Sequence, residues 1–179
     1  CIMAESESEY NESEHNSSEC DDENWEEEEE EEFKGKPLLW LVQEGLMPEA
    51  CQRFENLHSS SSPSSSNKDG ISLNKQIFQV SREDGNYPLH EILMGGTQDS
   101  NARKLALMIL DYGHAKTIKP TTFCAKDFIK MLSCQPKSHK RTCLHWAAWS
   151  NSELIILQRL VWGYPEALLI PDAKDKGGR

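Results

Sequence analysis

Five residues between positions 124 and 145 have side chains that could bind a metal ion or act as nucleophiles. They are Cys124, Cys134, His139, Cys143 and His145. Zinc sites favour closely spaced ligand pairs, and only the His139–Cys143 and Cys143–His145 spacings come close. The chain contains no Cys-x-x-Cys sequence. We therefore expect no metal site here.

The sequence also lacks the common signatures of catalysis. No glycine-rich phosphate loop follows a strand, and no Gly-x-Ser-x-Gly sequence occurs. No pair of carboxylates lies on a segment that we expect to be ordered. We therefore expect no catalytic residues and no cofactor, and we do not expect an enzyme.

Charge divides the chain into two parts. Residues 1–33 carry sixteen Asp or Glu and no Lys or Arg, and their few apolar residues follow no helical or strand period. This composition predicts a disordered acidic tail over residues 1–36. The remaining sequence holds 14 of the 30 acidic residues and all 19 Lys and Arg, so it is mildly basic.

Lysines between Lys116 and Arg141 are scattered singly along a predicted loop, which does not favour a nucleic-acid partner. The acidic tail could instead contact this basic stretch within the same molecule.

The six cysteines show no disulfide spacing, and no apolar run approaches the ~20 residues of a membrane helix. These features predict no membrane partner and a location in the cytoplasm or nucleus. The sequence starts with Cys1-Ile2-Met3 and stops at Gly178-Arg179, and from this we expect a piece of a longer reading frame.

Two short helices are predicted within residues 37–58. Pro37 suits a first helical turn, Gly45 suits a helix end, and Pro48 suits a second start. Residues 59–79 begin with a serine-rich run, which predicts a flexible linker.

A helix-turn-helix unit is predicted over residues 80–115. The Asp84-Gly85-Asn86 sequence indicates a turn, Pro88 begins a short helix, and Gly95-Gly96 ends it. A second helix over 101–112 carries apolar residues on one face, and Gly113 is predicted to stop it.

The same unit returns over residues 138–170. Thr142 is a predicted N-cap for a helix through Trp149, and residues 152–162 form the longer partner helix. An insertion, residues 116–137, separates the two units. It could contain a further short helix that includes Phe128, Met131 and Leu132.

These units resemble ankyrin repeats, which combine a turn, a Thr-Pro-Leu-His-x-Ala sequence and an aliphatic second helix. The matching residues are Pro88, Leu89 and His90 in the first unit and Thr142, Leu144, His145, Ala147 and Ala148 in the second. Residues 37–58 resemble a capping half-repeat, and residues 171–179 resemble the opening turn of another repeat. Tyr87 and Cys143 depart from the pattern, and the two His are 55 residues apart where the family period is ~33.

The resemblance implies an all-α array of helix-turn-helix repeats that binds another protein through its turns and first helices. The contact positions that it implies are Glu83, Asp84, Asn86, Met94, Ser138, His139, Arg141 and Trp149. Trp149 would be the aromatic anchor, whereas Trp146 would pack between helices. Trp162 and Ile155 would cover a neighbouring segment or, alternatively, dock a partner. The alternative function is that the repeats regulate an enzyme or effector within a larger chain.

Overall fold

A computed structural model describes residues 35–59, 72–118 and 124–172, without the side chains of residues 116–118 and Cys124. The described residues are all-helical, which confirms the all-α part of the predicted fold class. Residues 1–34 of the predicted tail, most of the serine-rich run, Lys119 and residues 173–179 lie outside the described residues. The expected contact between the tail and the Lys116–Arg141 stretch also involves residues outside them.

Eight α-helices and one 3-10 helix occur in these three ranges. They are α1 (Leu38–Gln43), α2 (Met47–Ser59), α3 (Leu73–Ile77), α4 (Pro88–Gly95), α5 (Ser100–Ile118), α6 (Cys124–Ser133), α7 (Cys143–Trp149), α8 (Leu154–Gly163) and the 3-10 helix Pro165–Leu169.

Most of these helices form two layers. α1 packs on α4 and α4 packs on α7, whereas α2 packs on α5 and α5 packs on α8. Within the described residues, three helix pairs, α1–α2, α4–α5 and α7–α8, therefore lie side by side. Each pair is too short to bury its own apolar face, so the neighbouring pair completes the core. Leu89, Leu105 and Ile156 are fully buried at these contacts.

The segment predicted as a linker, residues 59–79, contains helix α3, which differs from the expectation. Ser72 caps this helix by accepting a hydrogen bond from the Lys75 backbone N–H. Leu73 and Ile77 are buried, and α3 packs against α1 and α2. The Gln76 Oε1 atom accepts a 2.9 Å hydrogen bond from the backbone N–H of Leu38, at the start of α1. Burial and capping therefore order this short segment despite the polar run before it.

The second helix of the middle pair also differs from the prediction, because α5 continues through Gly113 to Ile118. The insertion contributes α6, which packs against α5, α7 and α8. Its buried residues are Phe128, Met131 and Leu132. Helix α6 of the insertion is thus part of the core between the second and third helix pairs.

Candidate functional site

His90 organises the turn before α4. Its Nδ1 accepts a hydrogen bond from the backbone N–H of Tyr87 at 3.4 Å, and its Nε2 lies 3.3 Å from the carbonyl oxygen of Cys134. Since the first bond requires Nδ1 as acceptor, Nε2 carries the proton and donates to Cys134. Complete burial lowers the pKa of His90 to about 4. His90 is therefore neutral at physiological pH and links two successive turns.

His145 takes the corresponding position at the start of α7. Its Nδ1 accepts from the Thr142 backbone N–H at 3.2 Å, and its Nε2 lies 2.9 Å from the carbonyl oxygen of Ile170. Thr142 is buried and Leu144 is half-buried. The two turns thus repeat one hydrogen-bonding arrangement, although the helices begin with Pro88 and Cys143.

Cys143 and His145, two of the residues considered as metal ligands, make contacts within the protein. The Sγ atom of Cys143 lies 3.6 Å from His90 Nε2, and burial raises the pKa of this thiol well above its usual range. A protonated, enclosed thiol is a poor nucleophile and a poor metal ligand. The Nε2 atom of His145 bonds to the Ile170 carbonyl oxygen instead. Within the described residues, no group of three or more His, Cys, Asp or Glu side chains could hold a metal ion.

The sequence-predicted contact residues divide by burial. Glu83, Ser138 and His139 are exposed, and Asp84 and Met94 are half-buried. The side chain of Ser138 donates a 3.4 Å hydrogen bond to the Asp84 carbonyl oxygen, so the two turns are adjacent.

Asn86 and Arg141 were also predicted to contact a partner, but both are buried and bond within the chain. The Asn86 Nδ2 atom donates a 3.0 Å hydrogen bond to Glu91 Oε1. The Arg141 guanidinium bonds both carboxylate oxygens of Asp172, at 3.1 and 2.6 Å. Sequence reasoning missed these roles because Glu91 occupies the variable position of the repeat motif and Asp172 lies 31 residues after Arg141.

Trp149 projects from the last residue of α7 and is 64% exposed. Its ring packs edge-to-face on Trp146, with 5.6 Å between ring centroids. Trp146 is buried and in turn contacts the His139 ring and the Arg141 guanidinium. The exposed indole of Trp149 thus rests on a buried ring that itself contacts His139 of the preceding turn.

Trp162 is also exposed, at 69%, and Ile155 is 38% exposed. Both lie on α8, in the other helix layer from Trp149. Among the described residues, Trp162 is thus largely uncovered, whereas Ile155 is partly covered.

A cavity of about 540 Å³ lies between the first two helix pairs, next to Met94. Its other walls include Val42 and Met47 from the first pair and Glu91 and Asp99 from the second. Sequence reasoning included only Met94 of this group. The remaining residues match no motif, and those of the first pair are separated from Met94 by the serine-rich run.

Comparison with protein-family models, with curated proteins and with solved structures found no match to this chain. None of the helices in the described ranges combines the length and apolar character needed to cross a bilayer.

Proposed function

We propose that this chain is an ankyrin-like protein-interaction module. The proposal is supported by the layering of three helix pairs and by the same histidine arrangement at the starts of α4 and α7. The binding surface in this proposal consists of exposed or half-buried residues of the turns and first helices. We call it the turn-and-helix surface, and its members are Glu83, Asp84, Met94, Ser138, His139 and Trp149.

The exposure of the Trp149 side chain is the observation that most supports the proposal. A large aromatic side chain that stays exposed while rigid neighbours hold it loses little entropy when a partner covers it. The contacts with Trp146, and through it with His139 and Arg141, provide that rigidity. An indole also combines apolar area with an N–H donor, which suits the centre of an interface.

Position in the fold adds support. Met94 and Trp149 each lie four residues after the histidine of their own turn, so they occupy equivalent positions on the adjacent helices α4 and α7. Two large apolar side chains, flanked by the polar turn residues Glu83 and Ser138, provide an apolar centre with a polar rim.

The experiment is affinity capture from a cell extract with the full chain and two matched tryptophan variants. Trp149→Ala removes the proposed anchor, and Trp162→Ala removes a tryptophan of similar exposure from the other helix layer. We expect the wild type and Trp162→Ala to retain the same protein. Trp149→Ala should lose about 1 to 3 kcal/mol of binding free energy, which is the scale of an interface anchor.

Both variants should unfold at nearly the wild-type urea concentration because both side chains are largely exposed. Equal capture by Trp149→Ala and the wild type would contradict the proposed surface. Loss of capture only in Trp162→Ala would assign binding to the α8 surface instead.

A further inference from the structure

The cavity beside Met94 combines apolar walls with two carboxylates. Val42, Met47 and Met94 contribute the apolar part, and Glu91 and Asp99 contribute the acidic part. No Lys, Arg or His side chain lines the cavity within the described residues. Its volume of about 540 Å³ exceeds that of one amino-acid side chain.

Glu91 is held in place from within the protein. Its Oε1 atom accepts hydrogen bonds from Asn86 Nδ2 at 3.0 Å and from Gln43 Nε2 at 3.4 Å. Asn86 is only 1% exposed, so this partner is fixed in the core. The second carboxylate oxygen, Oε2, makes no hydrogen bond to the described residues and can accept one from a ligand. A carboxylate fixed in this way needs little reorganisation on binding.

Asp99 is oriented in a similar manner. Its Oδ1 atom accepts hydrogen bonds from the backbone N–H groups of Asn101 and Ala102, at 2.9 and 2.8 Å. These bonds cap α5 and fix the carboxylate at the cavity wall. Two acids held by hydrogen bonds and two methionines that line the same cavity favour a ligand with a positive end and an aliphatic stem.

We propose that this cavity binds a basic side chain, arginine or lysine, that a partner protein presents. The stem packs against Val42, Met47 and Met94, while the charged end bonds to Glu91 and Asp99. This inference rests on the proposed function, because the cavity adjoins Met94 of the turn-and-helix surface. It adds the chemistry of the partner: a basic residue must lie close to the segment that covers Trp149.

The test is a titration of the full chain, followed through the methyl NMR signals of Met47 and Met94. The probes are N-acetyl-arginine amide and N-acetyl-lysine amide, and the uncharged control is N-acetyl-citrulline amide. We expect the arginine and lysine probes to shift both methyl signals and the citrulline probe to leave them unchanged. Added salt should weaken the effect, since the contact is electrostatic.

Two substitutions test whether Glu91 and Asp99 bind the charged end of the probe. Glu91→Gln keeps an acceptor for Asn86, and Asp99→Asn keeps a capping oxygen for α5, so both variants should fold. Each should weaken binding of the arginine probe by about tenfold, the loss expected for one charge-assisted hydrogen bond. The matched control is Glu166→Gln, which changes an exposed acid outside both the cavity and the turn-and-helix surface, and it should bind like the wild type.

Equal shifts with citrulline, undiminished binding by Glu91→Gln and Asp99→Asn, or no shift with either basic probe would each overturn the proposal. The titration uses no protein partner, so its failure is separate from failure of the Trp149-dependent capture. If capture depends on Trp149 but neither basic probe binds, the interaction surface stands and the cavity plays no part in it.

Discussion

The ring of Phe128 lies directly against the backbone of Gly113, in the interior of α5. A Cβ atom at position 113 would overlap the edge of this ring, which is fully buried. The glycine is therefore required for the close approach of α6 to α5. It does not end the helix, although a glycine after an apolar stripe predicts an end.

We expect Gly113→Ala to lower the free energy of unfolding by about 1 to 3 kcal/mol, because the buried Phe128 ring must move. This loss exceeds the gain of at most about 1 kcal/mol that alanine brings to a helix. The control is Gly95→Ala at the end of α4, where a Cβ atom meets nothing within 4 Å. It should leave stability unchanged or slightly higher. Urea unfolding measures both, and equal effects would contradict the close contact.

Stability should decrease in acid because of His90. In the unfolded chain a histidine has a pKa near 6.5 and gains a proton as the pH falls. In the folded protein, burial lowers the pKa of His90 to about 4, so the ring stays neutral over that range. Protons therefore favour the unfolded state between about pH 6.5 and 4. Above this range, protonation of His90 does not reduce the free energy of unfolding. As the pH falls across the range, the free energy of unfolding decreases by about 3 kcal/mol because of this residue.

Urea unfolding at several pH values checks this prediction in the wild type and two variants. His90→Gln should be less stable at neutral pH, because it loses the bonds to Tyr87 and Cys134, but its stability should fall less steeply in acid. Leu144→Ala, which lowers stability without removing a titratable group, should keep the wild-type slope. If the His90→Gln slope equals that of the wild type, another group causes the acid sensitivity.

Local sequence patterns were sufficient to predict the helical fold class. Turn residues and short apolar periods act over a few residues, so they are visible in one segment at a time. Helix α3 was missed because its five residues follow a serine-rich run and are ordered by distant partners, such as Leu38. The extension of α5 was missed because only the Phe128 contact explains Gly113.

Less of the interaction surface than of the fold could be predicted from the sequence. Family contact positions indicate which side of a helix faces outward, but not whether a particular side chain finds a partner inside the protein. Arg141 was predicted to face a partner, yet Asp172, 31 residues later, holds it in the interior. The cavity beside Met94 depends on Met47 and Glu91, which only the packing of two helix pairs brings together.

The Arg141–Asp172 pair should contribute to stability. The Arg141 side chain is 7% exposed and forms two parallel hydrogen bonds to the carboxylate. Arg141→Lys keeps the charge but loses this paired geometry, so we expect unfolding free energy to fall by about 1 to 2 kcal/mol. The control is Arg103→Lys, because the Arg103–Glu153 pair is more exposed. Arg103→Lys should lower the free energy of unfolding by less than about 1 kcal/mol. If urea unfolding gives equal losses for the two variants, the Arg141–Asp172 pair does not contribute more than the exposed pair, and the prediction is wrong.

Equivalent leucines in α4 and α7 should differ in their importance for folding. Leu89 and Leu144 each precede the histidine of their turn, but Leu89 is fully buried and Leu144 is half-buried. Leu89→Ala should lower the free energy of unfolding by about 2 to 5 kcal/mol, because it leaves a cavity that the helices around it cannot fill. Leu144→Ala should cost roughly half as much, since part of its side chain already contacts water. Urea unfolding of dilute protein gives both values. Equal losses would mean that Leu144 is covered in solution, and a Leu144→Ala loss that grows with protein concentration would identify the cover as a second molecule.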